Sequence, residues 1–239
     1  MTEFLLFRLY GPMASWGQIA PGEVRASWAA PSKSAILGLI GAALGLDRAD
    51  DDAHARLHDT LGFAVELRNP GLPLKDYHTA QTPEGKGPWL NRAHELRHDK
   101  LKTILSDRDY YLEQESVPAL WARGASAPAL AELVGALQAP KFVLYLGRKS
   151  CPPALPLEPK IVTAATVQEA FAAYIPSMST QDFGGHAARG NPRIYADRDA
   201  PGVQGTAAAY TSRRDGLAKR SRWRFADRAE AEFTREVKP

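Results

Sequence analysis

The sequence predicts an α+β fold of the ferredoxin-like (RRM-type) pattern, with one polar insertion and a small, irregular C-terminal β extension. Segments typical of strand and helix follow the order β, α, β, β, α, β within roughly the first 150 residues. The insertion, about residues 82–110, has little apolar surface to bury and should project from the domain. Glycine, proline and arginine then become frequent, which divides a domain over 1–155 from a basic extension over 156–239.

The first half of the chain begins with a strand over Phe4 to Tyr10, which is almost continuously apolar. A helix should start after Pro31, because Ser32 is a suitable N-cap and an apolar stretch follows. Gly38 and Gly41 weaken this helix, which indicates close packing against a sheet. The remaining elements are a polar helix over Asp51 to Leu61, a strand over Phe63 to Leu67 and an extended segment over Leu74 to Gln81.

The second half begins with two strands, Thr103 to Leu112 and Ser116 to Arg123, which are expected to pair with each other. A helix over Ala127 to Gln138 places its leucines on one face. The apolar run Phe142 to Leu146 is typical of a buried strand. The elements expected beyond it are a short helix over Val167 to Tyr174 and paired strands over Ala207 to Ser212 and Arg222 to Phe225.

Composition limits the classes of protein that fit. The chain has 239 residues, 44% of them hydrophobic, which is enough for a packed core. It has no apolar run of membrane-spanning length, and its N-terminus resembles a strand more than a signal peptide. The single cysteine, Cys151, excludes an internal disulfide and a Cys-based zinc site, and suits a cytoplasmic protein.

The net charge of +3 is unevenly distributed along the chain. Residues 1–185 contain 18 Lys/Arg and 20 Asp/Glu, a net −2, whereas residues 186–239 contain 12 and 7, a net +5. A basic end on a nearly neutral body is typical of contact with nucleic acid. A solvated basic tail is the alternative, and the distribution of charge taken alone favours that alternative.

The strongest local motif is a glycine turn that follows the apolar run at 142–146. Gly147 permits a tight turn, Arg148 and Lys149 supply cations, and Ser150 supplies a hydroxyl. A turn with cations and open backbone N–H groups can hold a phosphate. An ordinary basic turn is equally compatible with these residues, and the GxxxxGK[ST] motif of nucleotide-binding loops is absent here.

Other candidate binding residues lie in loops and at one helix start. Trp16 and Arg25 occupy an irregular loop, where they can stack on bases or fold back on the core. Lys33 at a helix N-terminus is a second possible phosphate ligand. Tyr77 and His78 lie on opposite faces of an extended segment, and a structural His there is more common than a catalytic base.

The polar insertion carries several side chains suited to RNA, but no complete metal site. It contains a large aromatic, Trp89, among cationic residues. His94 and His98 have the i, i+4 spacing of metal ligands on a helix, but no third ligand follows at a useful spacing. The sequence therefore predicts no metal, no cofactor and no catalytic residue.

Four strings in order carry a family resemblance: LYGPMASWGQ, PSKSAILGLIGAALG, LKDYHTAQ and YLGRKSCP, which together span residues 3 to about 153. They resemble the CRISPR-associated RAMP superfamily, and most closely its subunits that bind the crRNA 5′ handle in type I-E Cascade complexes. The resemblance implies a non-catalytic role in antiviral defence, within a ribonucleoprotein complex. It also implies that the insertion is a β-hairpin thumb that lies against RNA.

The resemblance further implies partners and RNA-binding positions. The partners are the crRNA 5′ handle, the backbone subunit CasC, the large subunit CasA and target DNA near the protospacer-adjacent motif. Together with Arg25 from the first loop, the residues expected to bind RNA are Met13, Ser15, Trp16, Gln18, Lys33, Ser34, Tyr77, His78, Trp89, Arg92, Arg97, His98, Tyr145, Gly147, Arg148, Lys149, Ser150 and Cys151.

Two other functions stay open at this point. Related RAMP proteins include metal-independent endoribonucleases that process CRISPR precursor RNA, and such chemistry needs a general base near the attacking 2′-hydroxyl. His78 with Tyr77 and Lys75, or His98 with Lys100, could form such a site. A sequence-nonspecific RNA-binding module is the third possibility, which the basic C-terminal region permits and the four family strings oppose.

Overall fold

A computed structural model describes residues 1–20, 22–85, 87–180, 190–204, 206 and 208–236. The first elements in chain order are β1 (Thr2–Leu6), β2 (Leu9–Tyr10), β3 (Met13–Ala14), β4 (Trp16–Gly17), β5 (Val24–Arg25), β6 (Ser27–Trp28), α1 (Lys33–Leu44), α2 (Asp51–Thr60) and β7 (Leu61–Asn69). The following ones are β8 (Leu72–Pro83), α3 (Arg92–Glu95), β9 (Leu101–Leu112), β10 (Glu115–Ala122), α4 (Leu130–Gln138), β11 (Lys160–Ala164), α5 (Val167–Ala173), β12 (Arg193–Asp197), β13 (Ala209–Lys219) and β14 (Arg224–Thr234).

The main sheet is antiparallel in all of its described strand pairings, and helices connect some of its strands. Its strand order is β11-β1-β10-β7-β12-β14-β13, and β2 also pairs with β10. The helices α1 and α2 lie between β1 and β7 in the chain, and α4 lies between β10 and β11. The expected α+β class is therefore confirmed in its coarse form, as a mixed α/β fold with antiparallel sheets.

The central strands of the sheet, β1, β10 and β7, are buried on both faces, which explains the continuous apolar run of the first strand. Leu5 and Phe7 face a core formed with α1 and α4, whereas Phe4 and Leu6 face a second core that includes Phe171 of α5. Alternate residues of one strand thus enter two different cores.

The first helix starts as expected from its capping residue. Ser32 is the N-cap of α1, and its side chain accepts a hydrogen bond from the Ala35 N–H at 3.1 Å. The helix ends at Gly45, which has φ +78°. A Cβ at Gly41 would lie 2.9 Å from the ring of His54, so this glycine allows α2 to pack closely against α1.

The prediction of a strand over residues 142–146 was wrong. Val143 is 85% exposed, and the N–H of Phe142 donates to the Ala42 carbonyl at the end of α1 at 3.1 Å. Only Leu144 and Leu146 enter the core, so the run is a loop that packs through alternate leucines. The position beside β1 is instead taken by β11, which the sequence did not reveal.

The polar insertion is part of a longer hairpin than expected. Residues 72–83 pair with residues 101–112 in unbroken register as β8 and β9, and we call this unit, 72–112, the thumb hairpin. The expected pairing of residues 103–112 with 116–123 was wrong, because β10 pairs with β1 and β7 instead. Most of β8 is exposed, which explains the weak hydrophobic signal of this hairpin.

The C-terminal strands extend the main sheet rather than forming a sheet of their own. β12 pairs with β7, and β13 pairs with β14 along a hairpin that we call the C-terminal hairpin, residues 209–234. A strand pair was expected here over six and four residues, but each of its strands is 11 residues long. Ala207, part of that expectation, lies outside the described residues, as do 181–189. The division of the chain near residue 155 stays a prediction.

A buried ionic cluster joins the C-terminal strands to the start of α1. Lys33 Nζ lies 3.0 Å from Asp197 Oδ2, and Arg228 contacts Asp197 at 2.9 Å and Asp215 at 2.7 Å. These groups are at least 90% buried, so each charge depends on its partners for stabilisation. In the part of the chain that is described, no helix is long and apolar enough to cross a membrane.

Candidate nucleic-acid interface

The glycine loop, residues 147–150, is fixed by backbone contacts on one side. Gly147 has φ +83°, and a Cβ there would lie 1.9 Å from the Ser15 carbonyl oxygen, so the backbones could not approach this closely with another residue. The Ser15 N–H donates to the Leu146 carbonyl at 3.0 Å, and the Cys151 N–H donates to the Arg148 carbonyl at 2.9 Å. The loop therefore has one defined shape.

The other side of the glycine loop is open to solvent and rich in donors. Among the described residues, no protein acceptor receives a hydrogen bond from the N–H groups of Arg148, Lys149 or Ser150. Lys149 is exposed and makes no ion pair within the same part of the chain. Adjacent unoccupied N–H groups beside a free ammonium form an arrangement that suits a phosphate.

Arg148 has a structural role in addition to its charge. Its guanidinium donates to the Tyr110 hydroxyl at 3.3 Å and to the Arg25 carbonyl at 3.0 Å, and lies 5.0 Å from the centre of the Tyr110 ring. These contacts attach the glycine loop to β5 and to the base of the thumb hairpin. Lys149 is therefore the more available of the two cations for a ligand.

Three residues of the first loop that were expected to touch RNA lie wholly or partly inside the protein. Ser15 is fully buried and its hydroxyl donates to the Asp109 carbonyl at 2.8 Å. Trp16 is 2% exposed, and its indole N–H donates to the side chain of Gln114. Met13 is half-buried and pairs with β9. Direct RNA contact by Ser15 and Trp16 is excluded in this conformation, because neither side chain reaches the surface.

The expected phosphate site at Lys33 was also wrong. The Lys33 side chain is 1% exposed, and burial lowers the pKa of its ammonium, which pairs with Asp197. The Lys33 N–H donates to Asp215 Oδ2 at 2.8 Å, so an internal carboxylate occupies the position that a phosphate would take. Cys151 is likewise 1% exposed, and burial raises the pKa of its thiol. Neither side chain is available to RNA.

A groove brings several of the predicted residues together next to the glycine loop. It consists of a cavity of about 800 Å³ and an adjoining one of about 290 Å³ that share Gln18, Ser34, Trp223 and Phe225 in their walls. The predicted residues Tyr145 and Gly147 line the smaller cavity. The described residues around this groove include no exposed carboxylate, because its one acidic wall residue, Asp215, is 2% exposed.

The far wall of the groove comes from residues that the motif analysis missed. They belong to the C-terminal hairpin and its turn: Arg214, Arg220, Trp223, Arg224 and Phe225. The excess of arginine after residue 186 was the available signal. This excess did not identify individual residues, because the register of the strands decides which arginine side chains are buried. Arg213, for example, is 4% exposed and contacts Glu230 at 3.5 Å.

The thumb residues form a separate, exposed group. Tyr77 is 65% exposed on β8, and His78 lies 3.6 Å from Asp76. Near the tip, the ring of Trp89 packs edge-on against His98 at 5.5 Å. Arg97 is exposed, whereas Arg92 pairs with Glu95 at 2.6 Å, and no described residue of the thumb hairpin lines the groove. The structure therefore does not unite the thumb and loop candidates in one site.

The two thumb histidines do not form a metal centre with other ligands. Trp89 lies against both His94 and His98, at 5.8 and 5.5 Å between ring centres. Within the described ranges, no group of three or more His, Cys, Asp or Glu side chains is arranged to hold a metal ion.

Comparison with known proteins defines the class to which this chain belongs. Residues 4–228 match the family described as CRISPR-associated protein (Cas_Cas5), and the chain is a member of that family. The match includes the glycine loop, the thumb hairpin and most of the C-terminal hairpin.

Individual relatives agree with this assignment. The chain is 31% identical over 209 residues to the CRISPR system Cascade subunit CasD of Escherichia coli (strain K12), which covers 84% of this chain and 89% of CasD. A solved CRISPR RNA-guided surveillance complex contains a chain with 27% identity and a TM-score of 0.69, covering 98% of this chain and 90% of that one. A crystal structure of a Cas protein, at 24% identity and a TM-score of 0.59, shares the fold over 97% of this chain and 94% of its own.

Proposed function

We propose that this protein is a non-catalytic RNA-binding subunit of a Cascade-type surveillance complex, in which it binds and caps the 5′ handle of the crRNA. The observation that carries the proposal is the glycine loop: Gly147 lines an open groove, and the free N–H groups and the Lys149 ammonium follow it directly in the chain. This arrangement binds phosphates without a catalytic centre. The choice of the 5′ handle as the ligand rests on the family resemblance of the four sequence strings, and the relationship to CasD supports membership of a Cascade complex.

The strand order supports a platform of the ferredoxin-like type. β11, β1, β10 and β7 are adjacent in that order, and the crossing segments contain α1 and α4. This order is compatible with the antiparallel arrangement of a βαββαβ unit, with the C-terminal strands added beyond β7. Such sheets often carry RNA on their loops, but the fold alone does not assign the function.

By relationship, we infer that the backbone subunit CasC, the large subunit CasA and target DNA near the protospacer-adjacent motif are neighbours in the complex. The exposed thumb hairpin is a surface that such neighbours can share with the RNA. Apolar side chains on it are partly exposed, including Leu72 and Ile104 at 64% and 46%. A cytoplasmic location stays a prediction.

The test is a titration of labelled repeat RNA with the purified protein over a series of salt concentrations, beside a scrambled RNA. Lys149→Ala should weaken binding and lower the salt slope by about 0.7, the contribution of one phosphate contact on a single strand. Arg56→Ala on α2 is the charge-matched control, because its guanidinium donates to the Ser126 carbonyl and does not line the groove. Equal affinity and equal salt slope for Lys149→Ala and wild type would remove the glycine loop from the RNA site.

The nuclease alternative is tested by the same RNA on a denaturing gel in EDTA. The His78 side chain is 41% exposed and lies 3.6 Å from Asp76 of the same strand. We therefore expect the repeat RNA to stay uncut by wild type and by His78→Ala alike. A discrete cut by wild type that is lost in His78→Ala would replace the binding role with a processing one.

A further inference from the structure

The turn of the C-terminal hairpin holds a half-exposed aromatic ring in contact with two basic side chains. Trp223 is 52% exposed and lines both cavities of the groove. The guanidinium carbons of Arg220 and Arg48 lie 4.4 and 4.7 Å from the centre of its ring, and Phe225 lies 6.2 Å away. Trp223 also has φ +51°, an unusual backbone conformation for a bulky residue.

Arg220 has no anionic partner in the part of the chain that the structure describes. Its Nε is buried without a hydrogen-bond acceptor, and no carboxylate of the described residues lies within 4 Å of it. Burial lowers the pKa of this guanidinium, although an arginine stays charged at neutral pH. A partly buried cation without a counter-ion is costly, so the site is favourable for an anion.

The opposite wall of the smaller cavity is suited to the rest of a nucleotide. Gln18 and Ser34 supply side-chain donors and acceptors, and Tyr145 supplies an aromatic hydroxyl. The absence of a side chain at Gly38 allows the Arg220 guanidinium to lie against α1, because a Cβ at residue 38 would be 2.9 Å from Arg220 Nη2. The cavity of about 290 Å³ lies at the small end of the range for ligand sites.

We propose that this part of the groove binds one unpaired nucleotide, with the base stacked on Trp223 in place of the exposed Arg48 side chain and the phosphate paired with Arg220. This subsite rests on the proposed RNA-binding function and adds a second anchor, opposite the glycine loop. Stacking on an aromatic ring accepts any base, whereas the arginine contributes charge. The subsite therefore adds affinity rather than sequence readout.

The first experiment measures affinity and salt slope for single-stranded repeat RNA. Trp223→Ala should weaken binding by about 5- to 150-fold, the range expected for one lost stacking contact of 1–3 kcal/mol, with an unchanged salt slope. Trp223→Phe should retain most of the affinity, because it keeps an aromatic face. Tyr210→Ala, which removes an aromatic ring that is 54% exposed on β13 and does not line the groove, is the matched control and should leave the affinity unchanged.

The second experiment separates binding from folding. Gly38→Ala should maintain or raise thermal stability, since alanine is the better helix former by about 1 kcal/mol, yet it should displace the Arg220 guanidinium and weaken RNA binding. Arg220→Gln keeps much of the side-chain packing and removes the charge. It should weaken binding and lower the salt slope by about 0.7. Loss of affinity in both variants without loss of stability would support the subsite.

Other results would overturn the proposal. If Trp223→Ala, Gly38→Ala and Arg220→Gln all bind the RNA as wild type does, while Lys149→Ala does not, the subsite is wrong and the proposed function stands. If wild type binds repeat RNA no better than scrambled RNA, the proposed function fails and the subsite fails with it. If the Arg220→Gln variant keeps its RNA affinity but loses binding to the partner subunits, the hairpin turn is a protein contact.

Discussion

Replacing Gly147 with alanine should destabilise the protein and displace the glycine loop. The backbone conformation at φ +83° costs an L-residue about 1–2 kcal/mol. A Cβ 1.9 Å from the Ser15 carbonyl oxygen also requires the two backbones to separate, at a further cost of about 1–3 kcal/mol for overpacking. Alanine restricts the unfolded chain and returns about 0.4–1 kcal/mol. We expect a net loss of about 2–4 kcal/mol in the free energy of unfolding.

The assay is thermal and urea unfolding of Gly147→Ala beside two control variants. Gly22→Ala has positive φ but no atom within 4 Å of the new Cβ, so it measures the conformational cost alone. Gly124→Ala has neither constraint. At about 2–4 °C per kcal/mol for a chain of this size, Gly147→Ala should melt about 4–16 °C below wild type. A melting temperature for Gly147→Ala equal to that of Gly22→Ala would refute the close backbone contact with Ser15.

Two further predictions concern buried charge. His58 accepts a hydrogen bond from the Leu217 N–H at 3.0 Å, and burial, with the charge of Lys33, lowers the pKa of its ring. Because the unfolded chain then binds a proton at His58 more readily than the folded protein does, the free energy of unfolding should be highest near neutral pH. It should decrease as pH drops below about 6.5. His58→Gln should flatten this dependence in urea unfolding between pH 5 and 7, and an unchanged pH profile would contradict it. Asp197→Asn should lower the free energy of unfolding by about 3–5 kcal/mol, because it leaves buried cations unpaired. Asp199→Asn, at an exposed carboxylate, should cost under about 1 kcal/mol, and equal losses for the two would disprove the buried cluster.

The sequence predicted the helices and the interior strands well, because their signals are local. Ser32 followed by an apolar stretch located the start of α1, and the apolar run at the N-terminus located a strand that is buried on both faces. The prediction of a strand over residues 142–146 failed because its local signal was ambiguous. A short apolar run is compatible with a strand or a packed loop, and here Leu144 and Leu146 alone enter the core.

The candidate site was predicted in part. Gln18, Ser34, Tyr145 and Gly147 line one groove, and Lys149 lies exposed in the glycine loop beside it. Lys33 was misplaced because nothing near it in the sequence reveals Asp197, which lies far along the chain and reaches it only through β12. The same long-range folding brings Arg220 and Trp223 to the groove, so no motif in the first 153 residues could indicate them.

The pairing of β12 with β7 has a consequence for how the chain can be shortened. Without the C-terminal strands, β7 would become the edge of the sheet and would expose unpaired N–H and C=O groups along an apolar strand. Such an edge readily recruits strands from other molecules, so it promotes aggregation. The basic C-terminal region therefore also shields the sheet from self-association, and a chain cut near residue 190 should be recovered mainly in the insoluble fraction.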